Sequence, residues 1–158
     1  MEAIRKADAG AMELYPVDDA GLLFVSPEII DWRPLADRQV RVVIDLDADV
    51  DCGVPTIPNN LVYVYFPFDD AHLPDLVKLH ALGRLAADMV RHGRAVLVHC
   101  AMGFNRSPLV AGVALTHLGL TGPEALDRLR EKRVGALYNR AFADYLASLP
   151  AKPDLPAG

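Results

Sequence analysis

The chain has 158 residues, of which 52% are hydrophobic, so it is long enough to bury one core without disulfides or metals. Its formal net charge of −5 argues against broad nucleic-acid binding, which depends on Lys and Arg residues that neutralise phosphates. No segment approaches the ~18 uncharged apolar residues of a membrane helix, and the N-terminus lacks the hydrophobic region of a signal peptide. We therefore expect no membrane contact.

The composition along the chain predicts a single α/β domain over residues 11–150. A loose N-terminus, residues 1–10, precedes it, and a proline-rich disordered tail, residues 151–158, follows it. The two cysteines, Cys52 and Cys100, are too few for a disulfide framework. A chain with free thiols belongs in a reducing compartment, so we expect a cytoplasmic location.

Apolar runs of strand and helix length alternate along the chain and predict a central, mostly parallel sheet of four to five strands flanked by helices. The first two runs, residues 11–17 and 22–25, flank turn residues and indicate a hairpin at the sheet edge. A short helical segment is expected between Ser26 and Asp37. The remaining predicted elements are strands over residues 41–46, 61–66 and 95–99, and helices over residues 75–92, 107–118, 121–132 and 142–149.

Several conspicuous residues have ordinary structural interpretations. Trp32 is expected in the core, as most single aromatic residues are. His80 and His92 share no metal-ligand pattern with a third group and are interpreted as surface or packing residues. The aspartates of the loop over residues 47–60 do not have EF-hand spacing, so we interpret them as solvated.

The segment Cys100-Ala-Met-Gly-Phe-Asn-Arg106 is the candidate reactive site of the chain. It connects a predicted buried strand to a predicted buried helix in a tight turn. Consecutive backbone amides before a helix form a concavity that binds anions. At the start of this loop the same amides and the helix dipole favour the thiolate form of Cys100, which makes it a nucleophile. Arg106 can hold two phosphoryl oxygens with its planar guanidinium.

The sequence His99-Cys100-x-x-Gly103-x-x-Arg106-Ser107 resembles the His-Cys-x5-Arg-Ser/Thr signature of the cysteine-dependent protein tyrosine phosphatases. The size of the chain and the elements around the loop resemble the dual-specificity branch of that superfamily. The resemblance implies hydrolysis of phosphate monoesters through a cysteinyl-phosphate intermediate, without a metal or another cofactor.

The family resemblance, which extends over about residues 22–149, also implies roles for other residues. Ser107 would ease departure of the thiolate, and His99 would be a buried partner that helps orient the loop. Asp70 is the expected general acid, with the neighbouring Asp69 as the competing candidate. The segment Arg133-x-Gly135-Ala-Leu-Tyr-Asn139-x-x-Phe142 resembles the family's Arg-x-x-x-x-Pro-Asn-x-x-Phe segment, with Tyr138 where proline is usual. From this segment only Asn139 is expected as a supporting residue. The phosphate would be bound by Ala101, Met102, Gly103, Phe104, Asn105 and Arg106.

Phosphorylated proteins, with phosphotyrosine and also phosphoserine or phosphothreonine, or small phosphate esters are the expected substrates. The loop interior has no lysine, which disfavours phosphoinositides. The run Gly-Phe-Asn-Arg resembles the loop of metazoan-type RNA 5′-triphosphatases, which is the alternative activity, and a non-catalytic phosphate-binding module is a further alternative. The preferred phosphorylated residue, the oligomeric state and a redox role for Cys52 stay open.

Overall fold

The computed structural model of the protein describes residues 12–156. The predicted loose N-terminus and the last two residues of the tail lie outside that range. Within it, the chain forms one sheet with helices on both faces. The strands are β1 (Tyr15–Pro16), β2 (Leu23–Ser26), β3 (Val40–Asp45), β4 (Val62–Tyr65) and β5 (Ala95–His99). The helices are α1 (Arg33–Asp37), α2 (Leu76–Arg91), α3 (Arg106–His117), α4 (Gly122–Lys132) and α5 (Arg140–Ala147).

The sheet has the strand order β1-β2-β5-β3-β4, and only the pair β1 and β2 is antiparallel. This confirms the predicted mostly parallel sheet with a hairpin at one edge. Parallel strands direct their carboxyl ends to the same edge of the sheet, where open α/β folds bind their ligands. His99 lies in register with both Ser26 and Asp45 at that edge.

The central strand β5 is buried over its whole length, because β2 and β3 pair with its two edges and helices cover both faces of the sheet. An uninterrupted Ala-Val-Leu-Val run suits this position, since a strand covered on both faces does not need alternating polar residues. The larger core cluster includes Val96, Val98 and the apolar residues of α3. The smaller one includes Leu97 and lies on the opposite face of the sheet.

Helix α3 is buried from Ser107 to His117 and packs against α2 and α4. The nearly uniform apolar sequence predicts this burial, because no face of the helix is left to be polar. Helix α4 begins with the predicted capping box, in which Thr121 accepts from the backbone N–H of Glu124 and the Glu124 carboxylate accepts from the backbone N–H of Thr121.

Two predicted elements are shorter than expected. The helical segment after Ser26 is restricted to α1, which begins only at Arg33 and has Pro34 in its first turn. Strand β1 has two residues.

In the tail, the Lys152 N–H donates to the Thr116 carbonyl at 2.8 Å. None of the helices within residues 12–156 combines the length and the apolar character needed to cross a bilayer.

Candidate active site

Cys100 lies at the point where β5 ends and the loop toward α3 begins, and it is 2% exposed. The backbone N–H of Gly103 donates to its sulfur at 3.3 Å, and the Ser107 hydroxyl lies 3.4 Å from the same atom. Hydrogen-bond donors stabilise a thiolate more than a thiol because they interact with its full negative charge. The loop and the first turn of α3 therefore place a backbone N–H and a hydroxyl beside the Cys100 sulfur.

The carbonyl groups of the loop point away from its centre. The Ala101 carbonyl accepts from the Glu28 N–H at 3.1 Å, and the Phe104 carbonyl accepts from the Leu137 N–H at 2.7 Å. Because the C=O and N–H of one planar peptide unit point in opposite directions, the amide that follows each of these carbonyls points inward. The outward carbonyls thus leave inward amides, an arrangement that can bind an anion.

Gly103 is required in this loop for two reasons. Its φ of +74° lies in the left-handed region that other residues rarely adopt. A Cβ at this position would also lie 2.8 Å from backbone atoms of Ser26 and Pro27. The loop therefore packs directly on the end of β2, with no space for a side chain.

Arg106, the first residue of α3, has one edge anchored to the protein and the other free for a ligand. Its Nη1 donates to the carbonyls of Leu46 and Phe68 at 3.3 and 3.2 Å. Its Nε is buried and has no hydrogen-bond partner among residues 12–156. The Nε and Nη2 edge of a guanidinium matches two oxygens of a phosphoryl group. The arrangement therefore presents that edge for bidentate binding of an oxyanion.

The two candidate acids, Asp69 and Asp70, have different surroundings. The Asp70 carboxylate accepts from Asn105 Nδ2 at 3.2 Å and lies 3.8 Å from Arg106 Nε. The Asp69 carboxylate instead accepts from the backbone N–H groups of Ala71 and His72 at 2.8 and 2.7 Å. These backbone hydrogen bonds lower the pKa of Asp69. Asp70 therefore adjoins the loop, whereas Asp69 stabilises its own turn.

Two asparagine side chains connect the Asp70 turn to the loop. Asn105 donates to Asp70 and accepts from the Asn139 N–H at 2.9 Å. Asn139 donates through Nδ2 to the Asp70 carbonyl at 2.7 Å, and its Oδ1 accepts from the Phe142 N–H at the start of α5. Tyr138, which replaces the usual proline of the family, is 66% exposed and leaves these contacts of Asn139 intact.

His99, which directly precedes Cys100, is fully buried, and its position corrects one sequence interpretation. Its Nε2 lies 2.6 Å from Asp51 Oδ2 and 3.5 Å from Asp45 Oδ1. Asp51, which we interpreted as solvated, therefore folds back onto the strand end, with 7% of its side chain exposed. The spacing of aspartates within one loop could not reveal this, because the partner lies 48 residues away along the chain.

Tyr63 completes the buried group behind Cys100. Its hydroxyl donates to Asp45 and accepts from the Asp51 N–H. Burial raises the pKa of Tyr63, so the hydroxyl keeps its proton at neutral pH. Asp45, Asp51 and His99 have ligand atoms within 4.8 Å of one another and could hold a cation, but here His99 is hydrogen-bonded to Asp51, and Asp45 accepts from Tyr63.

The fold thus brings together Cys100, Arg106, Ser107 and Asp70, which the sequence proposes, and excludes Asp69 from the loop. The contacts of the Asn105 side chain and the Asp51 side chain were not foreseen. Nothing in the sequence near either residue indicates its partner, since both contacts join distant segments.

The chain is similar to known phosphatases in sequence and in fold. A family model described as "Polymorphic toxin system, DSP-PTPase phosphatase" matches residues 25–119, more than half of the chain. The protein tyrosine phosphatase type IVA 3 of Mus musculus is 33% identical over 88 residues, which are 54% of this chain and 51% of that protein. The chain spans about half the length of the curated relatives it matches.

Solved structures cover more of the chain. Human DUSP28 is 25% identical with a TM-score of 0.70, over 84% of this chain and 89% of that one. Tk-PTP in its active form is 26% identical with a TM-score of 0.64, over 85% of this chain and 95% of that one. The similarity therefore includes nearly all of the described sheet and helices.

Proposed function

The chain belongs to the DSP-PTPase phosphatase family of polymorphic toxin systems, within the dual-specificity branch of the cysteine-dependent protein tyrosine phosphatases, and from this we propose that it dephosphorylates proteins through Cys100. The single observation that carries the proposal is the convergence of a hydrogen-bonded thiol, an anchored guanidinium and a carboxylate around one loop of inward amides. We assign phosphotyrosine, with phosphoserine or phosphothreonine in addition, as the substrate, and the cytoplasm as the location.

In the first step the Cys100 thiolate attacks phosphorus, so that an S–P bond forms while the bond to the leaving oxygen breaks. Arg106 and the loop amides bind the equatorial oxygens as charge spreads over them. Asp70 gives its proton to the leaving oxygen. Its hydrogen bond to Asn105 keeps the carboxyl group beside the loop.

In the second step water attacks the phosphocysteine, the S–P bond breaks, and inorganic phosphate leaves. Asp70, now ionised, accepts the proton of the water. The Ser107 hydroxyl, 3.4 Å from the sulfur, donates to the departing thiolate. Every group needed for this cycle belongs to the chain itself, so the proposal requires no metal or cofactor for it.

The first test uses a panel of an aryl phosphate, matched phosphotyrosine and phosphothreonine peptides, a phosphoinositide and triphosphorylated RNA. The expected result is hydrolysis of the aryl phosphate and the phosphotyrosine peptide, with loss of activity in Cys100→Ser because serine cannot supply a thiolate at neutral pH. Turnover of triphosphorylated RNA alone, or full activity of Cys100→Ser, would contradict the proposal.

The second test separates the two acids. Asp70→Asn should slow an aryl phosphate with a poor leaving group by about 100-fold or more, and an activated one much less, because only the poor leaving group needs a proton. Asp69→Asn is the matched control and should not show this dependence, since its carboxylate is occupied by its own turn. If the pattern follows Asp69 instead, the assignment of the acid is wrong.

A further inference from the structure

The Arg133 side chain donates two hydrogen bonds to the outer side of the active-site loop. It follows the last residue of α4, and its guanidinium donates through Nε to the Gly103 carbonyl at 3.3 Å and through Nη2 to the Met102 carbonyl at 3.0 Å. These two carbonyls are consecutive, and both lie in the middle of the loop. The other outward carbonyls described above accept hydrogen bonds from backbone amides, whereas these two accept them from a side chain.

The geometry points to a positioning role for Arg133, in which its two donors fix the orientation of two successive peptide units and thereby aim two amides at the reacting groups. The Met102 carbonyl shares its peptide plane with the Gly103 N–H, which donates to the Cys100 sulfur at 3.3 Å. The Gly103 carbonyl shares its plane with the Phe104 N–H, which then points into the concavity. One side chain thus orients a donor to the nucleophile and a donor to the phosphate.

The surroundings of Arg133 keep its plane fixed. Its guanidinium carbon lies 3.9 Å from the ring centroid of Phe104 and 4.6 Å from that of Tyr15. Its third donor, Nη1, lies 3.2 Å from the Tyr15 hydroxyl, which in turn donates to Glu13. A lysine could not replace this arrangement, because a single ammonium has no planar fork for two carbonyls and stacks poorly on an aromatic face.

The conformational freedom of Gly103 makes the loop depend on hydrogen bonds from outside it, such as those of Arg133. A glycine at φ +74° has more accessible backbone conformations than any other residue, so its two flanking peptide planes rotate more readily than others. Without Arg133 the carbonyls of Met102 and Gly103 would lose their donors and could rotate inward, where they would repel both the thiolate and the phosphate. This role rests on the proposed function of the loop but predicts effects that do not depend on turnover.

The first experiment measures the pH dependence of alkylation at Cys100. Iodoacetamide is used, with peptide mass spectrometry to distinguish Cys100 from the exposed Cys52. In Arg133→Lys and Arg133→Gln the midpoint should move upward by about one pH unit, the equivalent of a tenfold loss of thiolate relative to thiol. The charged and titratable groups that face the loop stay in place in both variants: His99 on β5, Asp47 and Asp70 in the strand-end loops, and Arg106 on α3.

The second experiment measures binding of tungstate, an inert oxyanion, by calorimetry. Both variants should bind it about tenfold more weakly than the unmodified protein, because one inward amide is no longer held in position. Arg133→Lys retains the positive charge and the aliphatic stem, so it preserves folding and isolates the loss of the two-pronged contact.

Arg128→Gln is the matched control. Arg128 lies on α4, and its Nη1 donates to Asp19 Oδ1 at 2.8 Å, in the turn before β2. This variant removes one positive charge, as Arg133→Gln does, but should leave the alkylation midpoint and the tungstate affinity unchanged. Equal shifts in Arg128→Gln and Arg133→Gln, or unchanged alkylation and tungstate binding in Arg133→Lys, would overturn the positioning role. Failure of the unmodified protein to hydrolyse any phosphoester would instead overturn the proposed function alone.

Discussion

Replacing Gly103 with alanine tests whether the loop owes its shape to close packing on β2. Two separate penalties act on the substitution. The residue would keep a φ of +74°, which raises the energy of an alanine by about 1 kcal/mol. Its Cβ would also lie 2.8 Å from backbone atoms of Ser26 and Pro27, whereas ordinary van der Waals contact begins at 3.4 Å.

The contact must therefore open by 0.6 Å. Because the neighbouring atoms are backbone atoms in and just after a strand, the loop has to move rather than β2. A shift of that size lengthens the 3.3 Å contact between the Gly103 N–H and the Cys100 sulfur to as much as about 3.9 Å and so weakens this hydrogen bond. We expect Gly103→Ala to lower the free energy of unfolding by about 2–4 kcal/mol in total. We also expect kcat/KM for an aryl phosphate to fall by about 100-fold or more.

Gly93→Ala separates the two penalties. Gly93 has a φ of +73°, but a Cβ there would meet nothing within 4 Å. Urea unfolding should therefore show a loss of only about 1 kcal/mol for Gly93→Ala, with unchanged kinetics. If Gly103→Ala retained full activity and lost no more stability than Gly93→Ala, the inferred packing of the loop on β2 would be wrong.

Three further predictions concern charge, protonation and oxidation. Arg106→Lys should reduce kcat/KM by about 100-fold or more, because an ammonium cannot reproduce the bidentate contact; near-normal kinetics would count against it. Burial lowers the pKa of His117 to about 4 and also lowers the pKa of His80, whose Nδ1 lies 3.1 Å from His117 Nε2. In the unfolded chain both histidines have the ordinary pKa of about 6.5, so the unfolded chain binds protons first as the pH falls below that value. Stability should then decrease by on the order of 3 kcal/mol between pH 7 and 4, and His117→Gln should flatten that slope in urea unfolding. If Cys52 protects an oxidised Cys100, peptide mapping after peroxide treatment should detect their disulfide, and over-oxidation of Cys100 without it removes the hypothesis.

The sequence alone determined the elements that depend on local patterns. The continuous apolar run before Cys100 predicts the buried strand β5, and the small apolar residues after Arg106 predict the buried helix α3. The loop between them is short, and its glycine and helix start favour inward amides. Cys100 and Arg106 could therefore be proposed as nucleophile and phosphate-binding guanidinium without a structure, because one short loop joins them.

Tertiary structure decided the contacts that join distant segments. Asp69 and Asp70 are adjacent and chemically identical, but backbone amides of its own turn hold Asp69, whereas Asp70 meets Asn105 35 residues later. Arg133 meets the Gly103 carbonyl from 30 residues away, and Asp51 meets His99 from 48. No local pattern encodes these contacts, because they depend on sheet register and on how α3 and α4 pack. That packing results from burial of apolar area, which is not directional and specifies partners only when the whole domain has folded.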